Sequence, residues 1–447
     1  MNDISSPALS DGSRVAVIGG GPAGAFFAYF LLDICQRVGI EVAVDVYERR
    51  DFSATGPVGC NMCAGVISES LIQALAIEGI NLPSTVVQRG INSFVLHTAA
   101  ENVTMSAPFD EMRIATVYRG GGPRGATNMQ WQSFDEYLLQ LAVEKGANVI
   151  RERVTAVGWN GDRPEVSVKE DAAESYDLLV GAVGVNSPST ALFEGLGIGY
   201  RRPKSRRTSV SELALGADFV SENLGSSMHA FLLNLPGMDF AALIPKGEHV
   251  AMCLIGDGID TKSAETFAGH PAVREALAGS DFEATRVCHC TPQASLGEAT
   301  HPFGNRVVII GDSGMSRLNK DGIGSAYRMA KAAAVTAVFN GISEEDFRRY
   351  FWPKCRAIRT DNRFGTVIYR AVDIIKRTPF SIRGIVRMIK REQKKQGSRR
   401  RMSMILWDMF TGSAPYRDVF LRFLHPFFIA RLVADIAIEL IPRRRSR

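Results

Sequence analysis

The chain has few of the features that mark secreted proteins. Only 7 of its 447 residues are cysteines, too few for a disulfide framework, which predicts a reducing compartment. Residues 1–14 contain neither a positive n-region nor an apolar core, so no secretory signal is expected. There is no internal repeat, and low complexity is confined to short basic runs. These absences favour a cytoplasmic protein, and an apolar content of 46% provides for a large core in two or three subdomains.

Charge is distributed unevenly along the chain. Residues 348–447 carry 25 of the 52 Lys and Arg residues and 7 of the 47 Asp and Glu residues, a net charge of +18, while the remainder has −13. The apolar stretch Val419–Ile441 contains Arg422 and Pro426, so it is poorly suited to span a bilayer. Basic residues beside apolar ones suit the membrane interface better. We therefore expect residues 346–447 to form a basic helical region on the inner face of the cell membrane.

Two other interpretations of this basic region stay open. One is a helical cap on the main domain whose charged face is merely solvated. The other is a nucleic-acid-binding segment, but the aliphatic and aromatic content is high and no recognition motif is present. The expected partner is therefore a membrane surface, and nucleic acid is not expected.

A dinucleotide-binding pattern begins close to the N-terminus. The apolar run Val15–Ile18 predicts a strand that is buried on both faces. It leads into Gly19, Gly21 and Gly24, which allow a tight turn, the approach of a pyrophosphate and close helix–strand packing. The helix expected from Ala25 onward directs its N-terminal amides at the phosphates.

An acidic residue completes the pattern. The second strand, Val42–Tyr47, ends at Glu48, whose carboxylate can accept hydrogen bonds from the hydroxyls of an adenosine ribose. A strand, three glycines, a helix, a strand and an acid in this order form a specific signal.

A second glycine–acid motif lies far downstream. The apolar strand Val307–Ile310 ends at Gly311 and Asp312. The two motifs together predict one FAD molecule, held in extended form by both ends of a single domain. The glycine-opened helix that begins at Gly322 is expected to point its positive N-terminus at the flavin.

A further glycine triplet, formed by Gly120, Gly122 and Gly125, has the same spacing as the first. The next helix is expected only near Ser133, so its amides are too far away to contact a phosphate. No strand that ends in an acidic residue follows at the usual distance. We interpret this triplet as a loop near the cofactor, which leaves no evident separate NAD(P)H domain.

Strand patterns divide the chain into four parts. A strand runs into a glycine turn at Asp177–Ser187, and longer half-apolar strands follow it. We predict an α/β protein with a Rossmann-like FAD-binding domain, an inserted antiparallel-sheet substrate domain and a helical C-terminal region. The first part of the FAD-binding domain is expected at 1–187, with an inserted segment near 75–115 that joins the substrate domain. The substrate-binding sheet is expected at 188–290. The closing part of the FAD-binding domain is expected at 291–345, and the helical region at 346–447.

These motifs resemble those of the geranylgeranyl reductase family, within the p-hydroxybenzoate hydroxylase-like superfamily of FAD-dependent oxidoreductases. Both glycine–acid motifs carry the resemblance, with Asp177–Ser187 and Gly322–Ala326. The loop Cys63–Ser68 is similar to the family's Cys-Gly-Gly-Gly segment beside the flavin. The resemblance implies a catalytic role for Cys63 in a loop that contacts flavin and substrate.

The resemblance also implies which residues hold the cofactor. In the superfamily the carboxylate of the second motif hydrogen-bonds the ribityl chain, which implies that role for Asp312. An arginine that lies against the FAD in relatives corresponds to Arg119, with Arg124 as the alternative. The expected cofactor-binding residues are Gly19, Gly21, Pro22, Ala23, Gly24, Glu48, Arg49, Arg119, Gly311, Asp312, Gly322, Ile323 and Gly324.

One stretch departs from the family pattern. The family's substrate motif resembles Pro-x-x-Tyr-x-Trp-x-Phe-Pro, and its counterpart here is 236–245. Phe240, Ile244 and Pro245 fit this motif, but an alanine replaces the tryptophan. These three residues are the expected substrate contacts, and an ordinary core strand is the equal alternative.

Four cysteines occur in two short pairs, Cys60 with Cys63 and Cys288 with Cys290. Four thiolates can bind zinc or an iron–sulfur cluster, or act as a dithiol that relays electrons to FAD. The two pairs do not have a standard metal-site spacing, and a buried cysteine is often just a small apolar residue. FAD is therefore the expected cofactor, with a metal or cluster as the less favoured addition.

The chain as a whole is expected to be an FAD-dependent oxidoreductase. The resemblance implies reduction of carbon–carbon double bonds in an isoprenoid or other apolar lipid, with hydride from N5 of the reduced flavin. NAD(P)H and ferredoxin both stay open as electron donors. Two alternatives also stay open: a flavin-dependent monooxygenase that acts on an apolar substrate, and an electron-transfer flavoprotein that feeds membrane quinone.

Overall fold

A computed structural model of the protein describes residues 7–62, 64–107, 111–126, 131–169, 172–394 and 400–440. Within these ranges the chain is a mixture of helices and strands, as the sequence predicts. In chain order the strands are β1 (Ser13–Ile18), β2 (Val42–Tyr47), β3 (Val66–Ile67), β4 (Val87–Ile91), β5 (Ser93–Thr98), β6 (Asn102–Ser106), β7 (Ile114–Val117), β8 (Asn148–Ile150), β9 (Val154–Asn160), β10 (Arg163–Val168), β11 (Glu174–Ser175), β12 (Leu178–Gly181), β13 (Ser205–Ala214), β14 (Ser227–Leu232), β15 (Met238–Lys246), β16 (His249–Gly256), β17 (Arg286–Cys290), β18 (Gln293–Ser295), β19 (Phe303–Gly304) and β20 (Val307–Ile309).

The helices connect these strands and dominate the C-terminal part of the chain. A π-helical turn at Phe347–Phe351 leads into the longest of the described helices. In chain order the helices are α1 (Pro22–Val38), α2 (Glu69–Ile77), α3 (Phe134–Glu144), α4 (Thr190–Glu194), α5 (Ala217–Asn223), α6 (Thr261–Ala268), α7 (Pro271–Ala276), α8 (Phe282–Thr285), α9 (Gly322–Phe339), α10 (Glu344–Asp346), α11 (Trp352–Lys376), α12 (Pro379–Gln393), α13 (Arg401–Thr411), α14 (Tyr416–Phe423) and α15 (Pro426–Leu440).

The chain divides into two compact units, and each is assembled from three segments that are separate in sequence. The first unit contains the residues up to Asn61, with Tyr118–Arg206 and Gln293–Thr360. The second unit contains Met62–Val117, Arg207–Pro292 and the chain from Asp361 onward. The strands β5 and β6 and the helices α12 to α15 therefore belong to the same unit as the strands β13 to β16.

The first unit is built around a sheet of order β19-β20-β12-β1-β2-β8, parallel except for the edge strand β19. Its central strands are apolar because both faces of the sheet are covered. The helices α3 and α9 pack on α1 on one face. The hairpin β9–β10 contributes Val154 and Val166 to the core on the other face, where Tyr176 and Phe193 are fully buried.

The second unit contains a larger sheet of order β17-β13-β16-β15-β14-β5-β6. The sequence predicts an antiparallel sheet. The strand pairs are indeed antiparallel except that β14 runs parallel to β5, so the sheet is mixed. One face packs on α5, α6 and α7, around Leu213, Phe231, Leu243 and Phe267. Side chains alternate along a strand, so the intervening residues of β13 and β15 lie on the opposite face.

Two predicted elements are each divided in the structure. The single strand expected at 148–157 is two strands, β8 in the parallel sheet and β9 in a hairpin with β10. The apolar stretch 419–441 is interrupted by the junction of α14 and α15, where Pro426 begins α15 because its fixed φ suits a first helical position. Among the described residues, no helix has both the length and the hydropathy that are needed to cross a membrane.

Two buried histidines lie side by side in the core of the second unit. His97 on β5 and His229 on β14 are joined by a hydrogen bond of 3.0 Å between Nε2 and Nδ1, and His97 stacks on Phe231. One ring must donate and the other accept, which two neutral imidazoles satisfy. Burial lowers the pKa of each histidine from its usual 6.5 to about 4.

We expect this pair to make the protein lose stability as the pH falls from about 6.5 towards 4. In that range the unfolded chain binds protons at both histidines while the folded chain does not, so each histidine lowers the free energy of unfolding by about 3 kcal/mol when the pH reaches 4. Urea denaturation across this range measures the slope. The variant His229→Phe is expected to flatten it, whereas the exposed control His301→Asn is expected to leave it unchanged; equal slopes in all three proteins would contradict this account.

Candidate functional site

The first glycine motif forms a tight turn between β1 and α1 in the first unit. Gly19 has a φ of 106°, which favours glycine, and its N–H donates to the carbonyl of Tyr47. A Cβ added at Gly24 would lie 1.8 Å from the carbonyl oxygen of Gly19. Gly24 is therefore required for packing, because any side chain there would separate the start of α1 from the strand.

The position of Gly21 differs, because little of the protein occupies the space beside it. A Cβ added there has only the Asn61 Nδ2 atom nearby, at 3.3 Å. Gly21 is the N-cap of α1, Pro22 follows at the first helical position, and the first turn contains no acidic residue. The amides of this helix start therefore retain their positive potential and can receive an anion.

The acid at the end of β2 closes the turn. Glu48 accepts a hydrogen bond of 2.9 Å at Oε2 from the Gly20 N–H and another of 2.9 Å at Oε1 from the Arg50 N–H. A carboxylate oxygen has two lone pairs, so both oxygens can still accept from hydroxyl groups. The side chain of Arg49 is exposed next to Glu48.

The second glycine–acid motif meets the first one in space. Gly311 has a φ of 66°, and a Cβ added there would lie 2.7 Å from the Cβ atom of Ala23. The chain reaches this point through β20, whose next residue, Ile310, donates its N–H to the carbonyl of Gly181. Two motifs that are far apart in sequence thus lie in contact at the start of α1.

Asp312 lies beside the N-terminus of α9. Its Oδ1 atom is buried and has no hydrogen-bond partner within the described ranges, and it lies 3.4 Å from a Cβ added at Gly322. The first turn of α9 contains no acidic residue. Asp312 therefore provides a buried acceptor next to the start of α9, whose N-cap residue is Asp321.

These features fit FAD in an extended conformation. The start of α1 and Gly21 can hold the pyrophosphate, and Glu48 can hold the adenosine ribose. The buried Oδ1 atom of Asp312 can accept from a ribityl hydroxyl. The start of α9, with Gly322, Ile323 and Gly324, can face the flavin ring.

Comparison with known proteins addresses the fold. No family model and no curated protein matches the chain. A geranylgeranyl bacteriochlorophyll reductase-like protein from Thermoplasma acidophilum is similar over 96% of this chain and 100% of its own, with a TM-score of 0.64 and 13% identity. A flavoprotein/dehydrogenase from Cytophaga hutchinsonii has a TM-score of 0.61 and 14% identity over 96% of this chain and 100% of its own. A variant of the halogenase PltM in complex with FAD has a TM-score of 0.59 and 12% identity over 98% of this chain and 93% of its own.

The chain has the fold that these three proteins share. The predicted α/β fold class is therefore confirmed, and so is the resemblance at the level of the fold. Identities of 12–14% carry no information about the substrate.

Within this flavoprotein fold, Arg119 is held by a partner that sequence reasoning missed. Its guanidinium forms a two-pronged ion pair with Asp135 on α3, with 2.9 Å between Nη2 and Oδ2. Asp135 is fully buried and also accepts from the side chain of Asn61, which lies next to Gly21. The network positions Arg119 near the first glycine loop. The prediction that Arg119 and Arg49 contact FAD stays untested.

The extra glycine triplet packs loops together. A Cβ added at Gly120 would lie 2.7 Å from the carbonyl carbon of Gly59, and the Gly122 carbonyl accepts from the Gly56 N–H at 2.8 Å. The next helix, α3, begins at Phe134, with the hydroxyl of Ser133 capping it. Gly120 and Gly122 lie where two backbones approach closely, and Gly125 has a positive φ of 79°, which favours glycine.

The paired cysteines receive no support as a metal site. Cys288 and Cys290 lie on β17, and Cys60 follows the turn at Gly56–Val58 in the first unit. Cys63 falls outside the described residues, so its predicted catalytic role stays a prediction. Among the residues that are described, no group of three or more His, Cys, Asp and Glu side chains is arranged to hold a metal ion.

The three predicted substrate contacts lie on β15. Ile244 and Pro245 are buried and Phe240 is half-buried. Ala241 and Leu243 belong to the core beneath the sheet, so by alternation Phe240 and Ile244 lie on the opposite face. Their role as substrate contacts stays a prediction.

Lys246 ends β15 on the same face as Phe240 and Ile244. Its side chain is only 1% exposed, and its Nζ atom lies 2.6 Å from Oε1 of Glu212 on β13. The other oxygen of Glu212 is buried with no hydrogen-bond partner within the described ranges. A buried ion pair contributes little net stability, so this pair is a candidate for a functional role. Sequence reasoning missed it because the partners are 34 residues apart.

A cavity of about 400 Å³ also lies in the first unit. It is lined by Glu298, His301, Phe303, Trp352 and Arg359, among others. Its lining includes no residue of either glycine–acid motif, so it does not belong to the candidate site.

Two glycine substitutions are expected to separate cofactor binding from packing. A methyl group at Gly21 meets only the Asn61 side chain, at 3.3 Å, so Gly21→Ala requires a small shift of that side chain and should change the free energy of unfolding of the flavin-free protein by less than about 1 kcal/mol. Flavin affinity should fall at least about tenfold because the methyl group occupies the space for the pyrophosphate. Gly24→Ala should instead prevent folding. The control Gly158→Ala has open space and an ordinary φ and should change neither property. Flavin absorbance after gel filtration measures the bound flavin, and urea denaturation measures the free energy of unfolding. Full flavin content in Gly21→Ala would contradict the assignment of Gly21 to the pyrophosphate.

The Lys246–Glu212 pair can be tested by a double-mutant cycle. Lys246→Met leaves a buried carboxylate without its cation and should lower the free energy of unfolding by about 3–5 kcal/mol. The double variant Lys246→Met/Glu212→Leu should recover most of this loss. The control Arg202→Met removes one partner of an exposed pair with Glu194 and should cost about 1 kcal/mol or less. A loss in Lys246→Met no larger than this control would show that the pair is not desolvated.

Proposed function

We propose that the protein is an FAD-dependent oxidoreductase that reduces carbon–carbon double bonds in an isoprenoid or another apolar lipid. The main support for FAD as the cofactor is the contact of Gly311 with Ala23, because it brings both glycine–acid motifs to one place. The buried acceptor of Asp312 supports it, because such an atom is costly unless a ligand donates to it.

The residues of the chain have separate tasks in this reaction. The start of α1 binds the pyrophosphate, Glu48 binds the adenosine ribose and Asp312 binds the ribityl chain. FAD, when bound and reduced, supplies a hydride. The positive start of α9 stabilises negative charge on the flavin, which favours the two-electron reduced form.

An apolar substrate agrees with the apolar side chains on one face of β15. Phe240, Ala242 and Ile244 share one face of the sheet, and the charged pair of Lys246 and Glu212 lies at the end of that face. Apolar side chains can bury a hydrocarbon chain, and the charged pair offers a polar end. A neighbour of the same fold is described as geranylgeranyl bacteriochlorophyll reductase-like, which supports this substrate class. The electron donor is NAD(P)H or ferredoxin.

A flavin-dependent monooxygenase is the second candidate. A halogenase in complex with FAD has the same fold at a TM-score of 0.59, so this scaffold is compatible with other flavin chemistry. The two candidates differ in what the substrate gains: two hydrogen atoms per reduced double bond in one case, and one oxygen atom in the other.

Mass spectrometry of lipid and quinone extracts from cells that express the protein tests the proposal. We expect isoprenoid chains to gain hydrogen in pairs, and a much smaller gain with Gly21→Ala, which is expected to fold but to bind flavin at least about tenfold more weakly. The control Gly158→Ala should behave like the natural sequence. A gain of one oxygen with O₂ consumption would establish the monooxygenase, and unchanged extracts from cells that contain the flavin-loaded protein would contradict both.

A further inference from the structure

The last described helix, α15, buries its acidic residues and exposes most of its apolar side chains. Its inward positions include Asp435, which is 0% exposed, and Glu439, which is largely buried. Its exposed positions include Phe427 at 79%, Val433 at 58% and Leu440 at 58%. A surface helix of a globular protein normally buries its apolar side and exposes its charges. The acids of α15 point inward instead.

The inward acids are held by basic residues of α12. Arg387 contacts Glu439 at 3.2 Å and Asp435 at 3.6 Å, and Arg391 also pairs with Asp435. Arg383 adds a contact with Glu439 at 3.6 Å. The ion pairs therefore define which side of α15 faces the protein, because turning the helix would leave two acids and three arginines without partners.

Close backbone packing fixes the same orientation. A Cβ added at Gly384 on α12 would lie 2.6 Å from the Cγ1 atom and 3.0 Å from the Cα atom of Ile436. Gly384 thus allows α15 to lie directly against α12. The outward side cannot become the inward side without a loss of this contact.

The outward side of α15 is apolar over more than half of the helix. At 100° per residue, the exposed positions cover roughly 200° of the circumference. Arg431 is the one charged residue among the exposed positions of this helix, and it lies at the edge of the arc. The remaining exposed positions are Pro426, Phe427, Ile429, Ala430, Val433, Ala434, Ala437, Ile438 and Leu440.

Exposed hydrophobic residues are concentrated here. Of the eighteen large hydrophobic side chains that are exposed within the described ranges, six lie on α14 and α15 and a seventh, Leu424, lies between them. A contiguous apolar surface of this kind marks a binding site. We propose that the outer face of α15 binds the surface of an anionic lipid bilayer.

Charge identifies lipid as the occupant. Residues 348–447 have a net charge of +18, and Arg443, Arg444 and Arg445 follow the end of α15 after two intervening residues in the sequence. An anionic membrane attracts such a segment by about 1 kcal/mol per basic residue near the surface. A second copy of the chain would instead bring two segments of the same charge together, which disfavours association.

The length of α15 determines how it binds. Its 15 residues span about 22 Å at 1.5 Å per residue, which is shorter than a hydrocarbon core of about 30 Å. The helix therefore lies in the plane of the interface, with Phe427 and Val433 in the acyl boundary and basic residues at the headgroups. This proposal does not depend on which substrate the enzyme reduces.

Vesicle co-sedimentation of the full-length, flavin-loaded protein tests it. The probes are phosphatidylcholine vesicles with and without phosphatidylglycerol, at low and high salt. We expect binding to the anionic vesicles that weakens as salt increases. The double variant Phe427→Ser/Val433→Ser should bind at least about tenfold more weakly, because two apolar side chains no longer enter the lipid. The matched control is Ile77→Ser, since Ile77 on α2 is also exposed, at 85%.

Each remaining outcome would overturn the proposal. Equal binding to both types of vesicle would contradict an anionic surface. Unchanged binding of Phe427→Ser/Val433→Ser, or an equal loss in Ile77→Ser, would contradict the role of α15. If the double variant instead converts a dimer to a monomer in light scattering without any binding of vesicles, the face joins two copies of the chain. Unchanged flavin absorbance and melting temperature show that the variants are folded.

Discussion

The close approach of backbone segments at the start of α1 is the constraint on which the first unit depends. The Cβ position of Gly24 lies 1.8 Å from the carbonyl oxygen of Gly19, and that of Gly311 lies 2.7 Å from the Cβ atom of Ala23. A side chain at either glycine would separate elements that now touch. The contact of α1 with the sheet, the packing of α9 on α1 and the location of Asp312 all follow from this approach. The glycines therefore build the site before they bind any cofactor.

Local sequence signals predict the helices and strands of the candidate cofactor site. They do not predict contacts between residues that are distant in sequence. The strand β2 has the predicted bounds, and α3 starts after Ser133 as expected, because alternation and capping act within a few residues. The stretch 148–157 reads as one strand, since nothing local shows that β8 and β9 enter different sheets. The pairs Arg119–Asp135 and Lys246–Glu212 are likewise invisible until the fold brings their partners together.

Part of the positive charge of the C-terminal segment forms ion pairs within the second unit. The segment 348–447 has a large positive charge, yet three of its arginines are directed at the acids of α15. Hydrophobic periodicity normally identifies the side of a helix that faces the protein. On α15 the ion pairs overrule it, because a basic neighbour makes the acidic side the favourable inward one. Hydrophobic periodicity alone therefore identifies the helix but not the side of it that faces the protein.

The division of each unit into three chain segments has a consequence for biosynthesis. A ribosome that has completed β2 has already produced the first glycine motif, but Gly311 and the start of α9 are added only after the chain has built most of the second unit. A nascent chain therefore has the first half of the candidate cofactor site without the second half for most of its synthesis. Acquisition of the cofactor becomes one of the last steps of maturation. Until then, the apolar surfaces that α9 covers on α1 are available to chaperones.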